Sequence, residues 1–465
     1  MRDDGNDHAL IARLWRDAGG DDAARPPLAL SGPQHVLPSA FAVTTLATAS
    51  VALATLAAAE LDAARAGESP RGVHVDRAHA ALAFRRELYA TPSGWEMPPL
   101  WDPIAGDYAA RDGWIRLHTN YAHHRDAVLR VLGTAPERDA VAAAVARRER
   151  DALEQDVVDA GGCAAAMRDL GAWRAHPQGR AVAAEPLLAR STGDAAPPWN
   201  PAPAPLPLGG VRVLDLTRVI AGPICTAFLA GWGADVLRLD PPGFAEVPAL
   251  LPETTAGKRR AFLDLRSADG RATLDALLRD ADVLVAGYRG GALDRLGLDE
   301  ASLRARHPGL VVALLDAYGW SGPWSGRRGF DSLVQMSCGI AARGQEVYGS
   351  ERPHPLPAQA LDHGTGYLLA AAVCRALVER LAGRATTVRA SLARTAALLL
   401  SLGESADPRT PQPTPADVEP WLEEVPTHWG PLRRVRQPGA IAGLAVVRGR
   451  EPGPLGSDRA TWSAS

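Results

Sequence analysis

Short apolar runs alternate with amphipathic stretches between residues 211 and 319. VRVLDL (211–216), ADVLRLD (234–240), RRAFLDL (259–265), DVLVAGY (282–288) and LVVALLDAYG (310–319) each read as a strand. Near-continuous Val and Leu across a strand means that both faces are covered, which predicts a parallel sheet between two layers of helices. Between these runs, ICTAFLAGWG reads as a helix ending at Gly233, and SADGRATLDALLRDA as an amphipathic helix with Ser267 as its N-cap. Further on, Leu368, Leu369, Ala372, Val373, Ala376 and Leu377 form a helical stripe that Gly383 ends.

The first 195 residues have a different texture: helical and Ala-rich, with a strand predicted at GWIRLH (113–118) and a charged helical run from Glu137 to Asp159 that Pro136 can start. PPWNPAPAPLP (197–207) and PRTPQPTP (408–415) read as stiff, extended connectors. They divide the chain into a helical portion at 1–195, the parallel-sheet portion at 208–405 and a tail at 416–465. A weak internal repeat relates LATASVALATLAAAEL and RGVHVDRAHAAL to YLLAAAVCRALVERL and GRATTVRASLARTAAL. From Ser31 to Ala59 there is no Asp, Glu, Lys or Arg, but Pro33, Pro38 and many Ala, Thr and Ser predict a buried helix and no membrane span.

Composition narrows the function classes. Lys+Arg 50 against Asp+Glu 53 leaves a net charge of -3, so no basic field points to nucleic acid. Cys163, Cys225, Cys338 and Cys374 form no CxxC pair, which excludes a disulfide scaffold and leaves no metal site expected. Reduced thiols and a charged N-terminus without an apolar signal core fit a cytoplasmic protein. Lys258 is the only lysine in the chain, which makes it a candidate for a place where an ammonium is needed. The whole reads as a Rossmann-like α/β fold with an Ala-rich helical smaller portion. Its first turn is not GxGxxG, so a dinucleotide fingerprint is absent, and Asp240 at the end of the second strand is only a weak candidate for binding a ribose hydroxyl.

Asp362 is the strongest chemical candidate. It stands at the start of a predicted helix, ahead of Gly364 and Gly366. A carboxylate there meets the positive end of the helix dipole, which keeps it ionised, and the glycines would let a bulky ligand approach the backbone. A plain helix-capping aspartate fits the same residues.

Four segments in order resemble the class III CoA-transferases, the carnitine and formyl-CoA transferase type. They are VRVLDLTRVIAGPICTAFLAGWGADVLRLD, GKRRAFLDLRSADGRATLDALLRDADVLVAGYRGGALDRLGL, GFDSLVQMSCGI and ALDHGTGYLLAAAVCRAL, together covering about 210–400. The helices near 42–90, GDYAARDGWIRLH and the run to about Leu188 are similar to the later portion of a family member, and the tail's GPLGSDRATW to a family C-terminus. The chain therefore resembles a permuted or truncated tandem member: later portion, linker, early portion.

The resemblance implies an acyl-CoA transferase acting on an acyl-CoA and a carboxylic acid acceptor, with CoA as substrate and no separate cofactor. Asp362 would be the nucleophile, forming an aspartyl-acyl anhydride and then an aspartyl-CoA thioester. CoA contacts would come from Ile220 and Ala221, from Gly257, Lys258, Arg259 and Arg260, from Gly287, Tyr288 and Arg289, from Arg295, and from Arg328, Gly329, Phe330 and Asp331. Family members form interlocked dimers, so a homodimer is possible here. There are departures. Pro241 stands where members can carry an Arg, Ile220 where a Gln can occur, and the first repeat is uncharged from Phe41 to Ala49. Racemases on this fold use a G-H-D motif, which is Gly329-Phe330-Asp331 here, and Phe cannot accept a proton. A non-catalytic acyl-CoA-binding protein is the other reading.

Overall fold

The computed structural model describes residues 4–288, 291–447 and 449–463. Seven strands build the central sheet: β1 (Ala189–Ala195), β2 (Arg212–Leu216), β3 (Asp235–Asp240), β4 (Lys258–Phe262), β5 (Val283–Ala286), β6 (Val311–Asp316) and β7 (Arg384–Ser391). Their order is β4-β3-β2-β5-β6-β7-β1. All neighbours run parallel except β1, which closes the edge antiparallel to β7. Val213 of β2 sits between Val236 of β3 and Val283 of β5. These apolar runs are buried along nearly their whole length, as a sheet covered on both faces requires. The chain progresses outward from β2 in one direction through β3 and β4, then in the other through β5 and β6. The strand order therefore reverses between β2 and β5. At such a switch point the loops leaving the strands' carboxyl ends diverge and open a crevice.

Helix α1 (Val43–Ala66) packs behind the three helices that frame that crevice: α2 (Ala221–Gly231), α3 (Asp331–Ser337) and α4 (Ala360–Leu381). The uncharged run at 31–59 supplies most of α1, and α1 lies along α4. By length and composition α1 can cross a membrane, yet 94% of its most apolar window is buried inside the molecule. One continuous core takes in Leu53 and Ala57 of α1, Val285 of β5, Leu369 of α4 and Ile441 of the tail. The repeat has a structural counterpart. α1 is followed by the strand Val73–Asp76 and the helix Arg77–Ala83; α4 is followed by β7 and the helix Leu392–Ser401. The residues preceding α1 and α4 share one backbone conformation, Ala42 at φ -73° and ψ 58°, Gln359 at φ -73° and ψ 60°. The third residue is Thr45 in one helix and Asp362 in the other.

The charged run at 137–159 forms two helices, Arg138–Val145 and Arg150–Asp159. They cover a small antiparallel sheet of Gly106–Ala110, Gly113–Leu117 and Ala164–Ala166. That sheet abuts α3, where the Arg168 N–H donates to the Met336 carbonyl (3.0 Å). The turn at 118–124 is thereby held over the crevice. The proline-rich stretch after β1 is pinned by Arg65, whose guanidinium donates to the carbonyls of Ala202 (2.7 Å), Pro207 (2.7 Å) and Gly209 (2.9 Å).

Candidate functional site

A cavity of about 320 Å³ fills the crevice at the switch point. Arg218, Val219 and Ala221 enter it from the turn after β2, and Gly287 and Tyr288 from the loop after β5. Leu315, Asp316 and Ala317 follow from the end of β6, then Arg328, Gly329 and Phe330 ahead of α3, and Asp362 from α4. The opposite wall comes from the first segment: Tyr121, His123 and His124. A Cβ on Gly329 would lie 2.6 Å from the Tyr318 ring and 2.7 Å from Ala317 Cβ, so only glycine lets this loop lie so close to the end of β6.

Asp362 is 7% exposed, in the first turn of α4. Its carboxylate has no hydrogen-bond partner among the described residues. The expected capping role belongs to Asp331: the N–H groups of Leu361 (2.8 Å) and Asp362 (3.0 Å) both donate to Asp331 Oδ2. Asp331 Oδ1 accepts from Gln335 Nε2. Burial, the adjacent Asp331 and Glu87 push the Asp362 carboxyl well above the usual carboxylate range. Desolvation and the two neighbouring carboxylates thus act against the helix dipole, which the sequence reading expected to favour ionisation. Gly364 and Gly366 also do other work than expected. A Cβ on Gly366 would meet the Ala221 carbonyl at 2.6 Å, and one on Gly364 would meet Thr395 and Leu46 at 3.2 and 3.3 Å. They permit close packing of α4 against its neighbours.

Beneath the turn after β2 lies a buried charge node. Arg238 is fully buried and donates to Asp240 (2.8 Å) and Glu246 (2.9 Å). Glu246 also accepts from the Tyr121 hydroxyl (2.6 Å) and the Val219 N–H (3.2 Å). One carboxylate thus ties the first segment's turn to the switch point. It also holds Val219 at φ 65°, a left-handed conformation that a β-branched residue resists and that is characteristic of functional turns. Arg218, which the sequence reading did not single out, places its guanidinium 3.6 Å from the Phe244 ring centroid and 5.1 Å from that of Tyr288. Its ion pair with Asp240 is loose at 3.8 Å. Asp316 is pushed up to about 7 by burial.

Of the residues expected to contact CoA, the structure brings Ala221, Gly287, Tyr288, Arg328, Gly329 and Phe330 to the cavity. Ile220 and Asp331 line a smaller recess joined to it at Asp362. Arg289 lies outside the described residues. Arg295 is exposed on the turn Asp294–Leu296 and does not line the cavity. The stretch from Gly257 to Arg260 lies away from the cavity. Lys258 is fully buried, and its ammonium donates to Asp215 Oδ2 (3.0 Å) and the Pro223 carbonyl (3.1 Å). Arg259 forms a bidentate pair with Asp235 (2.9 and 2.8 Å), under Trp462. Arg260 donates to Ser457 (3.1 Å) and the Glu451 carbonyl (2.7 Å), and Gly257 N–H to the Arg450 carbonyl (3.0 Å). Strand β4 needs its cations to neutralise carboxylates and fasten the tail, so none of the four reaches the cavity. Asp331 lines the smaller recess and acts there as a helix cap with both oxygens engaged. Residues 118–124 were missed, because nothing local in HTNYAHH announces packing against a crevice formed a hundred residues later.

Residues 208–418 match the model of CoA-transferase family III. The chain is 37% identical over 187 residues to the acetyl-coenzyme A transferase of Hypoxylon pulicicidum, covering 39% of this chain and 32% of that protein. It is 32% identical over 198 residues to the formyl-CoA:oxalate CoA-transferase of Rhodopseudomonas palustris, covering 40% and 46%. The chain thus spans about a third to a half of the curated relatives it matches. A CaiB/BaiF family protein from Brucella suis aligns over 49% of this chain and 65% of its own, at 24% identity and a TM-score of 0.37.

Proposed function

Taking residues 208–418 as a CoA-transferase family III segment, we propose that this protein moves CoA between carboxylic acids, with Asp362 as the covalent nucleophile. The observation that carries the reading is the Asp362 carboxyl: buried, unpartnered and facing a cavity at the sheet's switch point, while Asp331 does the capping. The ionised carboxylate attacks the thioester carbonyl of an acyl-CoA, giving an aspartyl-acyl anhydride and CoA thiolate. The thiolate then attacks the aspartyl carbonyl, releasing the donor acid and leaving an aspartyl-CoA thioester. An acceptor carboxylate reverses the two steps and leaves as its own CoA thioester. Arg328, whose guanidinium donates to the Gly161 carbonyl (2.8 Å), and Arg218 are the cations available to CoA phosphates. The test is transfer itself: incubated with an acyl-CoA and a second carboxylic acid, the protein should produce the second acid's CoA thioester. CoA binding without transfer would leave the binding-protein and racemase readings.

A second reading has one observation in its favour. His118 stacks on Phe330 at a centroid distance of 3.7 Å and shares the smaller recess with Asp362. Burial pushes its imidazole well below its ordinary value. A racemase using this pair would exchange the α-proton, so deuterium wash-in at the α-carbon without acyl transfer would select it.

A further inference from the structure

The cavity is asymmetric about Asp362. On the side of the strand ends, Arg218, Arg328 and His123 face it. On the other side is the recess, about 30 Å³, which shares Asp362, Tyr121, Val219 and Phe330 with the large cavity. Its walls are chiefly Leu100, Trp101, Ile220, Val247, Leu250 and Phe330. None of the described residues lining it is Arg or Lys, while two, Asp331 and Asp362, are carboxylates. The arginine behind it, Arg116, is covered by Trp101, 5.1 Å from the ring centroid, and paired with Asp107 at 2.7 Å. The only nitrogen base on the wall is His118, whose Nδ1 is buried without a hydrogen-bond partner.

We propose that this recess holds the acyl group while CoA occupies the large cavity, so that the acids exchanged are short, apolar monocarboxylates and not dicarboxylates. The proposal rests on the transferase reading. A thioester carbonyl at Asp362 has CoA extending toward the arginines, which leaves the acyl chain the recess. A second carboxylate there would lose its hydration, find no cation and face Asp331 and Asp362. An unpaired buried charge of that kind is strongly disfavoured. The recess volume limits chain length independently of charge.

The test is a panel of CoA thioesters given to the full chain with acetate as acceptor: propionyl, butyryl and isobutyryl against oxalyl, succinyl and palmitoyl. The expected result is kcat/KM higher for the first three by at least about 100-fold over oxalyl- and succinyl-CoA, since rejection of an unpaired buried carboxylate is worth several kcal/mol. Palmitoyl-CoA should also be poor. Val247→Ala and Leu250→Ala enlarge the recess and should move the optimum to longer chains without admitting succinyl-CoA. Succinyl- or oxalyl-CoA used as well as butyryl-CoA overturns the proposal and leaves the transferase reading intact. No transfer from any thioester overturns that reading, and the proposal with it.

Discussion

Asp362 carries a cost that a purely structural residue would not. Its carboxyl is raised by burial, by Asp331 and by Glu87. A carboxyl whose folded-state value is raised binds its proton more tightly folded than unfolded. As pH climbs from the unfolded to the folded value, the unfolded chain holds fewer protons and stability falls. Asp362→Asn removes that loss, so at neutral pH the variant should melt higher than the parent while losing transfer. A simple capping aspartate would give unchanged stability and unchanged activity, since Asn caps as well as Asp. The acid limb of kcat/KM should lie well above pH 3.8, because only the ionised carboxylate attacks. Lys258 gives the opposite lesson. A lone ammonium in an Arg-rich chain invites a ligand, but a cation in a strand between two helix layers is desolvated, and Asp215 neutralises it at 3.0 Å. Lys258→Ala leaves that carboxylate unpaired and should cost about 3–5 kcal/mol of stability. In the protein that still folds, CoA affinity by calorimetry should be unchanged; a loss of 10-fold or more, about 1.4 kcal/mol, would return Lys258 to the site.

At the level of elements, the α3–α4 junction sets the surroundings of Asp362. Asp331 begins α3 and caps α4, which places its charge beside Asp362. Asp331→Asn keeps an acceptor for the two N–H groups and removes the charge. The acid limb of the pH profile should then move to lower pH, because one of the influences raising Asp362 is gone; a limb that stays or rises would mean that Asp331 does not act electrostatically. The strands β2, β3, β5 and β6 were legible in the sequence because doubly covered strands must be apolar throughout, and Ser267 does accept from the Gly270 N–H (3.0 Å) at its helix start. The cap at Asp331 was not legible, since its partners lie thirty residues away in another helix. Nor was the role of Gly366, which depends on the Ala221 carbonyl across a helix contact.

On the scale of the whole molecule, the first segment packs against the sheet and its helices. β1 pairs with β7, α1 lies along α4, and Tyr121 hydrogen-bonds Glu246 under the cavity. A chain starting near Pro201 would lose the edge strand, expose the α1-facing side of α4 and lack one wall of the site. It should aggregate and show no cooperative unfolding; a soluble, cooperatively folded product would contradict this. The repeated helix–strand–helix units were visible as an Ala-rich pattern, but their packing against each other was not, because helix pairing depends on shape along the whole length of α1 and α4. One unit has a carboxylate at the third helical position and the other has Thr45, so only the second unit presents a carboxylate there.

Hydroxylamine trapping during turnover, read by peptide mass spectrometry, tests the covalent role of Asp362 most directly. An aspartyl anhydride or thioester is intercepted as a hydroxamate. The modification should appear on the peptide containing Asp362, require both acyl-CoA and an active protein, and be absent from the peptide containing Thr45 and from Asp362→Asn. Undiminished transfer by Asp362→Asn, with no hydroxamate at position 362 in the parent, would contradict the account.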